Sequence, residues 1–291
     1  MTLKADVTTI ETRHGPLECA VIGEGPTVLA LHGAMGGWDQ SLLLAETIGE
    51  PGYRYLALSR PGYLGTSLGC GRSPEEQADA YAALLDATGA ERAALMAVSG
   101  GGPSAIHFAL RHPERCWGLV LVSTCGARVE GRLPLSFHLL RLLGRWSWFT
   151  AAMERQAKRD PERASRASIP DAELRARTLA DSEAGPLLRA LMASTSDRMK
   201  ERLAGTLNDV DVTRRYDYPL EHLHVPTLVV HGTADRLVPF ARHAQTLASR
   251  IPGAELVVAE GGDHVSIFTH RDVVRPRVTR FLREHAPRAA G

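Results

Sequence analysis

Lysine is nearly missing from this 291-residue chain, present only at Lys4, Lys158 and Lys200, so almost all of its 34 basic side chains are arginine. With 33 acidic side chains the net charge is +1, which offers no global field to draw in nucleic acid or an anionic membrane. Cysteine is also scarce. Cys19, Cys70, Cys116 and Cys125 form no C-x-x-C pair and no zinc-ligand spacing, so reduced, mostly buried thiols of a cytoplasmic protein are expected. A membrane-length apolar run is lacking as well. The nearest candidate, LPLSFHLLRLLGRWSWF from Leu133 to Phe149, is interrupted by His138, Arg141 and Arg145 and is shorter than the ~20 residues a span needs. The opening MTLKADVTTI has no apolar core of a secretory signal. Repeats and low-complexity tracts are absent. The expectation is a protein with no membrane span and no nucleic-acid partner, its oligomeric state left open.

What is present is an alternation of strand and helix signals. VTTIETRHG and LECAVIG read as two hairpin-like strands, TVLALHG as a buried strand, Gln40 to Ile48 as a helix, and RYLALS as a strand. A helix is predicted from Pro74 to Thr88, started by Ser73 as N-cap with acids in its first turn. The apolar runs AALMAVS and GLVLVST flank the helical PSAIHFALRH. Near-continuous apolar strands between helices imply a mostly parallel, twisted sheet covered on both faces, an α/β fold. From about Ala127 to Arg215 the rhythm changes to helix-like segments alone, punctuated by Pro134, Pro161, Pro170 and Pro186. It resumes with VPTLVVHG, a helix from Phe240 to Arg250, AELVVAE and a last helix from Val273 to His285. Two domains are therefore expected: a core of residues 1–126 and 216–291, and a helical insertion of residues 127–215. The insertion carries 17 basic and 12 acidic side chains. That excess suits a solvated helical surface, with steering of an anionic substrate as the alternative.

Between AALMAVS and the following helix lies SGGGPSA, three consecutive glycines after Ser99. A phosphate loop would need a lysine near the last glycine, and none is there. GGGPSA fits the dinucleotide pattern G-x-G-x-x-[GA], but that chemistry wants an acid at the end of the next strand. That strand ends LVSTCG. A nucleophile elbow fits better: a tight strand-to-helix turn that holds Ser99 in a strained conformation, with small residues Ala97 and Gly101 two positions to either side. The turn aims the N–H of Gly100 and the helix N-terminus at the reacting centre.

A serine hydroxyl needs a base, and the base needs an acid to fix its tautomer. In such a sheet the chain order is serine, acid, histidine. Asp235 follows TLVVHG and His264 follows AELVVAE, each in a loop at the carboxyl end of its strand. LHGAMGG after the strand TVLAL supplies a glycine-rich loop whose N–H at Ala34, or else Met35, can meet a substrate oxygen. His32 is expected to hold that loop. Asp263 is a weaker candidate acid; His107, His112, His231 and His270 read as ordinary satisfied or surface residues. Trp38, Trp146, Trp148 and Phe149 are read either as lining an apolar pocket or as plain contacts between insertion and core.

The segments LHGAMGG, SRPGYLGTS, AVSGGGPSA, HGTADRLVP and GGDHVSIF, in this order from about Gly25 to Arg283, resemble the α/β-hydrolase superfamily. Ser59 stands where many members have Asp, and Ala97 replaces the first elbow glycine. The resemblance implies a serine hydrolase with a helical cap or lid: Ser99 as nucleophile, His264 as base, Asp235 as its acid, Ala34 and Gly100 as oxyanion hole, and no cofactor or metal. A small, apolar acyl compound such as a carboxylic ester is the implied substrate. C–C bond hydrolysis and aminopeptidase-like action share the triad; the latter would need acids such as Glu154 or Asp181 near the site. A ligand-binding member with slow or no turnover is a further alternative.

Overall fold

The computed structural model describes residues 5–131, 135–144, 146–159 and 161–287. Lys4, Leu133, Pro134 and Arg145 lie outside the described residues. Eight strands form one sheet: β1 (Asp6–Ile10), β2 (Leu17–Ile22), β3 (Thr27–Leu31), β4 (Arg54–Leu58), β5 (Ala93–Val98), β6 (Cys116–Val122), β7 (Thr227–Gly232) and β8 (Glu255–Ala259). Their spatial order is β1-β2-β4-β3-β5-β6-β7-β8. The hairpin strand β2 runs antiparallel to β1 and β4, and every other pairing is parallel. The chain therefore reverses its build direction at β3, and β3 and β5 lie side by side at the centre.

The first-half helices are α1 (Trp38–Ile48), α2 (Pro74–Ala87) and α3 (Gly102–Arg111). Helix α2 starts where the sequence places it, because Ser73 and Glu76 cap one another's backbone N–H groups in a reciprocal box. Between β6 and β7 come α4 (Leu135–Leu143), α5 (Ser147–Arg159), α6 (Pro161–Ser168), α7 (Ala172–Ala180), α8 (Ala184–Thr195) and α9 (Met199–Arg215). The chain closes with α10 (Phe240–Arg250), a short α11 (Ser266–Thr269) and α12 (Arg271–His285). The sequence reading missed α11 and started the last helix two residues late; Pro276 lies inside both the expected and the observed span.

The apolar strands are continuous because both faces are covered. Along β5, Ala93, Leu95 and Ala97 pack with α2 and α3, while Ala94 and Met96 pack with α1 and α12. Alternate residues of β6 divide the same way, Leu119 and Leu121 to one side, Val120 and Val122 to the other. This period of two is what a strand buried on both faces must show. All four cysteines are buried, free thiols, and burial pushes Cys19, Cys116 and Cys125 up to about 12. Among the described residues no helix is long and apolar enough to cross a membrane.

Candidate active site

Strand β5 delivers Ser99 into a one-turn 3₁₀ segment, Ser99–Gly101, that runs into α3. The φ of Ser99 is +51°, the left-handed region that costs a side chain with a Cβ roughly 1–2 kcal/mol. Surroundings that over-determine the turn hold it there. The Thr124 hydroxyl donates to the Ser99 carbonyl at 2.5 Å, and a Cβ on Gly33 would lie 3.0 Å from the Ser99 Cβ.

Each of the three glycines has a separate steric cause. A Cβ on Gly101 would stand 2.7 Å from the His32 carbonyl oxygen, because the end of β3 passes directly against the turn. On Gly102 it would overlap Thr124 Oγ1 at 1.8 Å. On Gly100 it would meet Asp209 Oδ2 at 2.6 Å. The run is a matter of space, and the third case draws in α9.

The loop after β7 carries Asp235 and the loop after β8 carries His264. They are held together because a Cβ on Gly232 would collide with the Gly262 carbonyl at 2.2 Å, and the Ala234 N–H donates to that carbonyl at 2.8 Å. Asp235 Oδ1 accepts the N–H groups of Leu237 and Val238, both at 2.9 Å. That leaves Oδ2 for His264 Nδ1 at 2.8 Å, and His264 Nε2 lies 3.0 Å from Ser99 Oγ. Asp235 is buried while His264 and Ser99 are partly exposed. Burial pushes the Asp235 carboxyl up, but bonds from His231 and His264 outweigh it and hold the carboxyl well below the usual carboxylate range. The group therefore stays ionised and fixes the proton on His264 Nδ1, leaving Nε2 as acceptor.

The loop after β3 approaches the same point. A Cβ on Gly100 would stand 3.4 Å from the Ala34 nitrogen, so these two backbone groups lie side by side. The Met35 N–H is already committed to the Thr206 hydroxyl at 2.9 Å, which favours Ala34 over Met35 as the loop's available donor. His32 is buried with its pKa held well below its ordinary value, first by desolvation and then by the Arg60 charge. Its Nδ1 meets the Gly33 carbonyl at 2.6 Å and its Nε2 accepts the Arg60 N–H at 3.0 Å. The ring is neutral and committed to the loop's shape. Ser59, buried directly after β4, accepts the Trp38 N–H at the start of α1 at 2.9 Å and donates to Glu18 at 2.6 Å.

The weaker candidates have other partners. Asp263 accepts the Val265 N–H at 3.0 Å, and burial together with the nearby Asp235 charge raises its carboxyl to about 6. His112 pairs with Asp79 and His270 with Thr269, while His107 lies 3.6 Å from Glu75. His231 is closer to the site than its sequence context suggested: it bonds the Val238 carbonyl at 2.7 Å and lies 3.3 Å from Asp235 Oδ2. Glu154 binds Lys158, and Asp181 caps the start of α8 through the N–H groups of Glu183 and Ala184. Of the four aromatic candidates, Phe149 lines a cleft of about 1120 Å³ within α5–α9 together with Met153, Met192 and Met199. Trp148 is 64% exposed and Trp38 packs on Leu42 and Ala57.

The residues that sequence reasoning overlooked form a buried polar network beside the glycine run. Arg60, 1% exposed, donates to both carboxylate oxygens of Asp209 on α9 and to the His32 carbonyl at 2.8 Å. Tyr63 donates to Asp209 at 2.5 Å. The signal in the chain was Gly100 itself, a residue smaller than the turn requires.

The sequence profile of the alpha/beta hydrolase fold matches residues 26–271, and the chain belongs to that family. It is 38% identical over 121 residues to an uncharacterized hydrolase from Bacillus subtilis, a match covering 42% of each chain. It is 30% identical over 206 residues to 2-hydroxymuconate semialdehyde hydrolase from Pseudomonas putida, covering 69% of this chain and 66% of that one. Among solved structures it is similar to an alpha/beta hydrolase fold protein from Nakamurella multipartita, with 35% identity, a TM-score of 0.82, and coverage of 96% of this chain and 99% of that one. The chain thus spans under half the length of the first of these relatives.

Proposed function

We propose that the protein is a serine hydrolase that cleaves a carboxylic ester or a related small, apolar acyl compound through an acyl-enzyme on Ser99. One observation carries the reading: the hydroxyl of a strained Ser99, the His264 ring and the buried Asp235 carboxylate stand in line at 3.0 and 2.8 Å. Ser99 Oγ attacks the acyl carbon while its proton passes to His264 Nε2. The carbonyl oxygen gains the negative charge and is met by the N–H groups of Ala34 and Gly100. The tetrahedral adduct collapses, the C–O bond to the leaving group breaks, and His264 returns the proton to the departing oxygen. A water deprotonated by His264 then attacks the ester on Ser99, releasing the acid and restoring the hydroxyl. Asp235 stabilises the imidazolium in both halves.

On this reading residues 1–126 and 216–291 are the catalytic core and residues 127–215 the cap. The buried free thiols fit a reducing, cytoplasmic setting. The positions of Glu154 and Asp181, tied up in surface contacts, speak against an aminopeptidase. The likeness to 2-hydroxymuconate semialdehyde hydrolase favours a second reading, C–C bond cleavage by the same triad. A chain-length series of 4-nitrophenyl esters, a serine-directed phosphonate and a 2-hydroxymuconate semialdehyde substrate separate the two. Ester turnover and phosphonate labelling, both abolished by Ser99→Ala, support the ester reading. Turnover of the semialdehyde alone moves the assignment to C–C cleavage, and loss of neither activity on Ser99→Ala refutes both.

A further inference from the structure

We propose that helix α9 is a fixed support of the oxyanion hole, acting through Thr206 as a positioning residue; the inference rests on the serine-hydrolase reading above. Met35 has a φ of +58°, which puts a non-glycine residue in the left-handed region directly after Ala34. Such a conformation persists only where neighbours hold it. Here both peptide groups of Met35 are held from outside the loop. Its N–H donates to Thr206 Oγ1 at 2.9 Å, and its carbonyl accepts Gln40 Nε2 at 3.2 Å. The Thr206 hydroxyl is itself fixed, since it donates to the Arg202 carbonyl at 2.8 Å. Its lone pair therefore faces the loop. Because peptide planes are rigid, anchoring the Ala34–Met35 plane restricts the preceding plane, which carries the Ala34 N–H. The Gly33 carbonyl on that same plane is met by His32 Nδ1 at 2.6 Å, so losing the Thr206 anchor lets the Ala34–Met35 side of the loop relax its strain and shifts the Ala34 N–H out of line without releasing it.

A support must be stationary, and α9 is fastened to the core in three ways. The loop after β4 bonds directly to its backbone: the Gly205 N–H donates to the Gly62 carbonyl at 2.8 Å, and the Leu64 N–H donates to the Glu201 carbonyl at 2.9 Å. Both glycines are required by the approach, as a Cβ on Gly62 would lie 2.7 Å from Gly205 Cα and one on Gly205 would enter the Tyr63 ring. Buried Arg60 grips Asp209 one turn further along, and Arg202 grips Asp39 of α1 at 3.1 and 2.8 Å. The four residues Arg202, Gly205, Thr206 and Asp209 present one face of α9 to the core.

The experiment compares the full-length parent, Thr206→Val, which keeps shape but loses the hydroxyl, and Thr206→Ser, which keeps the hydroxyl. The readouts are 4-nitrophenyl butyrate hydrolysis and inhibition by an alkyl trifluoromethyl ketone, whose hydrated or serine-bound oxyanion imitates the tetrahedral adduct. Losing one oxyanion donor outright costs about 10² to 10³ in kcat, so a misplaced donor is expected to cost ~10- to 100-fold. KM stays within about threefold because the hole serves acylation and deacylation alike. The ketone weakens by the same factor as kcat, and Thr206→Ser stays within about threefold of the parent. The proposal is overturned if Thr206→Val retains parental kcat, if the loss falls on KM alone, or if Thr206→Ser fails as badly as Thr206→Val. If the parent itself shows no Ser99-dependent ester hydrolysis, the underlying reading falls and this inference with it.

Discussion

Removing Arg60 tests whether the network beside the glycine run carries stability as well as shape. Arg60 is 1% exposed and Asp209 5%, and the carboxylate accepts both arginine nitrogens and the Tyr63 hydroxyl. Arg60→Met leaves Asp209 with Tyr63 alone inside the protein, and breaking a buried pair from one side costs about 3–5 kcal/mol. Two carbonyls, of His32 and Gly33, lose a donor in the same step, which adds about 1–3 kcal/mol if no water reaches them. Asp209→Leu strands the arginine instead, at a similar cost. In Arg60→Met/Asp209→Leu both charges are gone, so the ion-pair part of the loss is recovered and the carbonyl part remains. Urea melts of the four proteins, read at constant m-value, should therefore show the double variant less destabilised than the sum of the singles by at least ~2 kcal/mol. Additive losses, or a loss under ~1 kcal/mol for Arg60→Met, would refute the view that the pair is buried and mutually dependent.

Asp235→Asn keeps an oxygen for the Leu237 and Val238 N–H groups but turns an amide donor toward His264 Nδ1. The ring then takes the opposite tautomer, and kcat for a chromogenic ester should fall by ~10⁴ with the melting temperature little changed. Asp263, with its carboxyl raised to about 6, holds its proton more tightly folded than unfolded. Its stabilising contribution is complete below an unfolded pKa of about 4 and disappears as pH rises through 6. The stability of Asp263→Asn relative to the parent should accordingly grow between pH 4 and pH 7 in denaturant melts, and a flat difference would contradict the assigned burial.

How much of this was readable in the chain depends on the range of the interaction. β5, β6 and β7 were recognisable because each is an apolar run whose alternate residues meet different helices, and α2 because its cap is local. That Ser99, Asp235 and His264 would lie near one another was foreseeable because each occupies a loop at a strand's carboxyl end, a placement that sheet topology converts into proximity. Asp209 was not, since LNDVDVTRR gives no reason to choose one acid of the helix over another. Its partner lies 149 residues away and the only trace of the pairing is a missing side chain at position 100. His231 was read as an ordinary satisfied residue for a similar reason: its i,i+4 relation to Asp235 spans a strand end and a turn, where sequence spacing does not fix distance.

The exchange of backbone bonds between α9 and the loop after β4 bears on how this chain could be recombined with its relatives. A chimera that transplants specificity should be spliced ahead of Met199, because the host's Gly62 accepts only a helix that also lacks a side chain at position 205. By their bonds, residues 199–215 go with the sheet, whatever replaces the helices before them.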